Sequence, residues 1–168
     1  MSNLQRAIEI AVEAHKGQTD KAGAPYVFHP LRVMLSLKTE AERIVGILHD
    51  VVEDCPSWSF NRIENEGFPP EIILALQSVT KTEAEELSIK AATDEDAKYL
   101  AYWCFVSRAI QNPIGKEVKL ADLRDNCDLS RIENPTQQDL ARLKRYQRVL
   151  ERIRIDIPSM DKKRTEPE

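Results

Sequence analysis

Apolar residues recur at steps of three and four along most of the chain. Leu4, Ala7, Ile8, Ala11 and Val12 set the pattern, and Leu31, Val33, Met34 and Leu37 repeat it. Ile44, Val45, Ile47, Leu48, Val51 and Val52 do so again. That spacing marks helices with one face turned to a core, and no stretch shows the alternation of a strand. It predicts helices over residues 3–16, from Pro30 onward, 39–52, 71–79, 99–110, 113–129 and from Pro135–Thr136 to about residue 155. Thr39 and Glu42 have the capping-box spacing of a helix start. Gly17, Gly23 and Pro25 punctuate a loop over 17–28, and Pro56 stops the helix that carries His49. Residues 81–98 are acidic, with only Leu87 and Ile89 as large apolar positions, so they are expected to form a flexible or weakly helical crossing.

The fold expected is therefore all-α, a single helical bundle over residues 1–155 without a significant sheet. A charged tail, 156–168, is expected to be disordered. Leu140, Leu143, Val149 and Leu150 are core candidates on the last helix, and Tyr99, Tyr102, Trp103 and Phe105 form an aromatic stripe read as core.

Composition narrows the function. The chain has 168 residues, 42% of them hydrophobic, enough for a sizeable core. A net charge of −4 and the absence of a long basic run argue against nucleic acid as the main partner. No apolar run reaches the roughly 18 residues of a membrane span. Arg6 and Glu9 interrupt any signal-peptide pattern, and three cysteines without CxxC spacing suit free thiols in a reducing cytoplasm. Cys104 and Cys127 lie in apolar-periodic segments and are expected in the core.

The chemistry concentrates in His49-Asp50-Val51-Val52-Glu53-Asp54. If Ile44 to Asp54 is one helix, Glu53, Asp50 and Asp54 lie about 40°, 100° and 140° from His49 around the axis. All four share a side, opposite an apolar arc. The plainer reading is an amphipathic helix whose polar face meets water, since a six-residue motif also matches by chance. His29, in Phe28-His29-Pro30, and Asp122, in a distant helix with Lys119 and Asn126 on one face, supply further candidates. His29, His49, Asp50 and Asp122 together would make a two-His, two-carboxylate site without sulfur, suited to a borderline or hard divalent ion. Such an ion lowers the pKa of water, and Glu53 and Asp54 would be placed to move protons or orient that water. His15, on the apolar face of the first helix, is expected to support the site rather than to ligate.

The ordered set resembles the HD-domain metal-dependent phosphohydrolases. His15-Lys16-Gly17-Gln18, Pro25-Tyr26, His29-Pro30, the His49–Asp54 run and Lys119-Leu120-Ala121-Asp122 through Asn126 resemble the hydrolase domain of the RelA/SpoT family and its small stand-alone alarmone hydrolases. The resemblance implies metal ligation by His29, His49, Asp50 and Asp122, usually to Mn²⁺, with Glu53 and Asp54 as catalytic carboxylates. It implies that Lys21, Tyr26 and Asn126 face the nucleotide. The implied reaction removes pyrophosphate from the 3′ position of (p)ppGpp in the cytoplasm, by a protein able to form a homo-oligomer. Hydrolysis of another substrate, a nucleoside monophosphate or a phosphorylated dinucleotide, is the alternative within enzymes. A non-catalytic nucleotide-sensing module is the alternative outside them. Asp20 stands where the family usually carries an arginine, and Leu123, Asp125 and Asp128 also depart from its pattern. Asp20 predicts weaker selection of guanine, because a carboxylate cannot stack on a base as a guanidinium does.

Overall fold

The computed structural model describes residues 4–156 and is all-α. In chain order the helices are α1 (Leu4–Ala14), α2 (Phe28–Ser36), α3 (Glu40–Leu48), α4 (Val51–Asp54), α5 (Phe60–Asn65) and α6 (Pro70–Val79). α7 (Glu83–Ala91), α8 (Glu95–Ala109), α9 (Pro113–Asn126) and α10 (Gln137–Asp156) follow. Among the described residues the only β pairing is an isolated bridge between Thr19 and Pro25. The expected tail after residue 156 lies outside the described residues.

α3 is the central element and packs against α1, α2, α6 and α9. Its start follows from Thr39, whose hydroxyl accepts from Glu42 N while the Glu42 carboxylate accepts from Thr39 N. Ile10, Val33, Val45, Ile47, Leu48, Ile72, Leu76 and Val118 form the first core around it. Tyr99, Tyr102, Phe105, Val106, Leu123, Val149 and Ile153 form a second core between α8, α9 and α10. α9 contributes Val118 and Ala121 to the first core and Leu123 to the second. Asp122 thus enters the interior at the seam between the two.

Several expectations need correction. The helix over 39–52 ends at Leu48, and a turn at His49 and Asp50 precedes the single turn α4. Asp50 adopts φ −95° and ψ −8°, off the helical well, so the one-helix wheel does not hold beyond His49. α2 begins at Phe28, two residues before Pro30. Residues 81–98 contain α7 and the start of α8. Thr82 forms a second capping box with Glu85, and the Asp94 side chain accepts from Ala97 N. These caps supply what the missing apolar face does not, since no residue of α7 is buried. α9 ends at Asn126, short of residue 129. On α10 Val149 is buried as expected, but Leu140 is exposed and Leu143 and Leu150 are only half-buried. Cys104 is exposed and Cys127 half-buried, while Cys55 is the buried thiol.

Gly115, in the first turn of α9, shows how closely this helix is seated. A Cβ there would run into the Ser78 hydroxyl of α6 and lie 2.9 Å from the Ala109 carbonyl oxygen. Gly115→Ala should therefore destabilise the fold by about 1–3 kcal/mol, the usual cost of overpacking. Thermal unfolding should show a lower Tm, and adding Ser78→Ala should restore only part of it because the carbonyl contact remains. A Tm equal to that of the parent protein would contradict this close seating.

Candidate metal centre

His29 sits in the first turn of α2 and is buried. Its Nδ1 lies 2.7 Å from Asp125 Oδ2, which turns Nε2 inward. His49 follows the last residue of α3, with Nδ1 2.8 Å from the Gly46 carbonyl oxygen. That bond assigns the proton to Nδ1 of the neutral ring and leaves the Nε2 lone pair facing the same interior point. Asp122 arrives from α9 and Asp50 from the turn after α3.

The four side chains meet. His29 Nε2 lies 3.5 Å from Asp50 Oδ2 and 3.3 Å from Asp122 Oδ1. His49 Nε2 lies 3.2 Å and 3.8 Å from the same two oxygens. Ligands about 2.1 Å from a shared ion stand roughly 3.0–3.4 Å apart when adjacent, a spacing that suits a cation held by His29, His49 and Asp122 with Asp50 beside the two histidines. One ligand atom from each of His29, His49 and Asp122 falls within 4.8 Å of the others, a group that could hold a metal ion. The buried His49 Nε2 makes no aligned hydrogen bond, as a lone pair reserved for a metal would. The donor set of nitrogen and oxygen without sulfur suits a divalent ion of intermediate or hard character.

Electrostatics agree with this geometry. Burial alone would lower the pKa of His49, but the carboxylates of Asp50 and Asp122 outweigh it and lift the value to about 10. Burial likewise opposes the charged form of His29, and bonds to Asp122 and Asp125 reverse the direction. Burial works against ionised Asp50 and Asp122 as well, yet His49 holds the first and Lys119 the second well below the usual carboxylate range. Without an ion the two carboxylates thus draw protons to the imidazoles, and a metal ion would take the place of those protons.

The surrounding residues divide the remaining work. Tyr26 donates its hydroxyl to Asp50 Oδ2 at 2.7 Å. His15 packs its ring 5.0 Å from that of Tyr26 and bonds Gln18, so it reaches the centre only through Tyr26. Lys119, buried, donates to Asp122 Oδ2 at 2.7 Å, and the Asn126 amide donates to Asp122 Oδ1. Asp54 has its pKa raised by burial and by the Asp50 charge beside it. Glu53 pairs with the Lys81 ammonium and also accepts from Lys81 N.

A cavity of about 280 Å³ opens beside His29, and Lys21, Tyr26, Arg32, Asn126 and Arg131 line it. Lys21 is at the same time paired with Asp139 at 2.5 Å. Asp20 does not project a free charge into the cavity: its Oδ1 accepts from Ala22 N and Ala24 N at 2.9 Å each and folds the loop. Sequence reasoning passed over Arg32 and Arg131, and it noted Asp125 only as a departure from the family pattern, without a role at the site. The three-residue steps from His29 to Arg32 and from Asp122 to Asp125 were the available signal.

No family model matches the chain. A guanosine-3′,5′-bis(diphosphate) 3′-pyrophosphohydrolase of Borreliella burgdorferi is 32% identical over 165 residues, 91% of this chain and 23% of that protein. The bifunctional (p)ppGpp synthase/hydrolase SpoT of Escherichia coli is 38% identical over 61 residues, 34% of this chain and 9% of that protein. The chain thus spans less than a quarter of the length of either relative. A solved structure described as a metazoan orthologue of SpoT that hydrolyses ppGpp superposes with a TM-score of 0.67, covering 89% of this chain and 84% of that one at 22% identity.

The buried Asp139 at the start of α10 allows a test of the wall of this cavity. Lys21 first, and then the hydroxyl and N–H of Thr136, hold its carboxyl well below the usual carboxylate range. A depressed folded pKa stabilises the protein above the unfolded value, near 4, and that contribution is lost as pH falls below it. Asp139→Asn should therefore be less stable than the parent at pH 7, with the gap in urea midpoint narrowing below about pH 4. A gap that is constant with pH would show that the charge of Asp139 is not what stabilises this corner.

With 32% identity along nine-tenths of its length and a shared all-α fold, the chain resembles the hydrolase region of the RelA/SpoT proteins.

Proposed function

We propose that this chain is a metal-dependent pyrophosphohydrolase of (p)ppGpp, releasing pyrophosphate from the 3′ position and leaving GDP or GTP. The observation that carries the reading is the convergence of His29, His49, Asp50 and Asp122 beside a cavity lined by cationic side chains. Relatives that match most of the chain carry this activity in their names. His29, His49, Asp50 and Asp122 would hold a divalent ion, manganese by the family resemblance. When bound, such an ion polarises phosphoryl oxygen and makes water more acidic.

The protein's own residues supply the rest. Asp54, with its raised pKa, is a stronger base than an ordinary carboxylate and is assigned to accept the proton of the attacking water. Glu53 holds the Lys81 ammonium at the edge of the centre, where developing phosphate charge needs a partner. Tyr26 orients Asp50, and Lys119 with Asn126 orients Asp122. Lys21, Arg32 and Arg131 offer N–H donors to the nucleotide from three different elements. The two arginines supply the guanidinium chemistry that position 20 lacks. Because Asp20 is committed to its own loop, another phosphorylated nucleotide is the second reading.

The test is a nucleotide panel: ppGpp, pppGpp, GTP, GMP and a phosphorylated dinucleotide, each with manganese and with a chelator. Expected is pyrophosphate with GDP or GTP from (p)ppGpp, dependent on the ion. Turnover confined to another nucleotide would favour the second reading, and metal and nucleotide binding without turnover would favour a sensor. His49→Ala should lose ion and activity together. Asp54→Asn should keep the ion while turnover falls roughly 10²-fold or more, the scale of lost acid–base help. Loss of the ion in Asp54→Asn would make that residue a ligand and remove its assigned role.

A further inference from the structure

Asp125 is three residues beyond Asp122 on α9, and its carboxylate is shared among three side chains. Oδ2 lies 2.7 Å from His29 Nδ1. Arg32 donates Nε to Oδ1 at 2.7 Å and Nη2 to Oδ2 at 3.0 Å, a two-pronged pairing from α2. Arg131 donates Nη1 to both oxygens, at 3.3 and 3.2 Å, and Nη2 to the Asp125 carbonyl at 2.9 Å. Both arginines line the cavity beside His29.

A neutral imidazole has one N–H and one lone pair, and an acceptor at one nitrogen decides which is which. His49 has that decision made locally by the Gly46 carbonyl. His29 has no such carbonyl bonded to its Nδ1, and Asp125 takes that place from across the helix interface. We propose that Asp125 is a positioning residue that aims His29 Nε2 at the metal and fixes Arg32 and Arg131 in register with that ligand. The inference rests on the metal-centre reading above. The carboxylate does two tasks because α9 delivers it one turn from Asp122, so the ligand and the group that aims the second ligand move as one body.

A purely structural role would be different: the ion pairs would join α2 to α9 and nothing more. Manganese affinity separates the two. The free-ion signal of Mn²⁺ in paramagnetic resonance gives Kd for the parent protein, Asp125→Ala, Asp125→Asn and Arg32→Gln, each with its Tm. Asp125→Ala should weaken manganese binding by about 10–100-fold, the scale for losing a group that orients a ligand. Asp125→Asn keeps a neutral acceptor for Nδ1–H and should sit near the lower end of that range, about 10-fold. Arg32→Gln should lower Tm and leave Kd within about twofold, because His29 keeps its acceptor. In protein without metal, the hydrogen-bonded Nδ1–H proton of His29 should be visible downfield by NMR in the parent and in Asp125→Asn, and absent in Asp125→Ala. Parent binding with an unchanged Kd in Asp125→Ala would overturn this proposal alone. If Asp125→Ala does not fold, an unchanged Kd in Asp125→Asn would do the same. A parent protein that binds no manganese would overturn the metal-centre reading, and this proposal with it.

Discussion

One buried carboxylate, Asp122, and one partly buried, Asp50, facing two buried imidazoles set the terms for the structure around them. Asp50 and Asp122 each lie within 3.8 Å of both His29 and His49, where water is largely excluded. Charge buried in this way is tolerated only when it is paired and its remaining lone pairs are satisfied. Tyr26 answers Asp50, and Lys119 with Asn126 answers Asp122. Lys119 is itself buried, and its ammonium rests 4.7 Å from the centre of the Phe105 ring and 5.5 Å from that of Tyr102. The second core is therefore more than packing. Its aromatic faces stabilise the cation that neutralises Asp122, which makes the charge state of the site depend on how α8 sits against α9.

The turn at His49 and Asp50 has a similar logic. The turn presents both side chains to His29 and Asp122. Ending α3 at Leu48 keeps its apolar face in the first core and frees the next two residues to turn inward. Glu53 pairs with Lys81. The motif's three acidic residues are therefore unequal. Asp50 belongs to the centre, Asp54 sits beside it with a raised pKa, and Glu53 spends its charge on a lysine.

The sequence made the helices legible wherever burial follows a period near 3.6, as in α1, α6 and α8. It was less informative where structure is stabilised by caps. α7 buries nothing and was read as a crossing, although Thr82 and Glu85 hold the same capping-box spacing that correctly marked Thr39. His29, His49, Asp50 and Asp122 could be assembled from residue type and family pattern because each motif is local. Asp125 could not, because its role depends on Arg32 at 93 residues' separation and on His29 at 96. Asp20 was read as standing in place of a base-binding arginine, and its carboxylate also bonds Ala22 and Ala24 of its own loop.

The cavity's cations are not free charges, and that bears on what can enter it. Arg32 and Arg131 share Asp125, while Lys21 and Arg142 share Asp139. Two cations on one carboxylate leave each unit with one positive charge in excess. Asp20 and Asp128, which also line the space, direct Oδ1 oxygens to backbone N–H groups, and their two charges formally balance the two in excess. An incoming phosphate must therefore compete with Asp125 or Asp139 for donors already in place. A single weakly charged group gains little from that exchange, because each donor it takes is lost to a carboxylate of comparable strength. On the proposed reading, a ligand with several phosphate oxygens would draw on both units at once, and the paired arrangement would suit such a polyphosphorylated ligand better than a singly charged one.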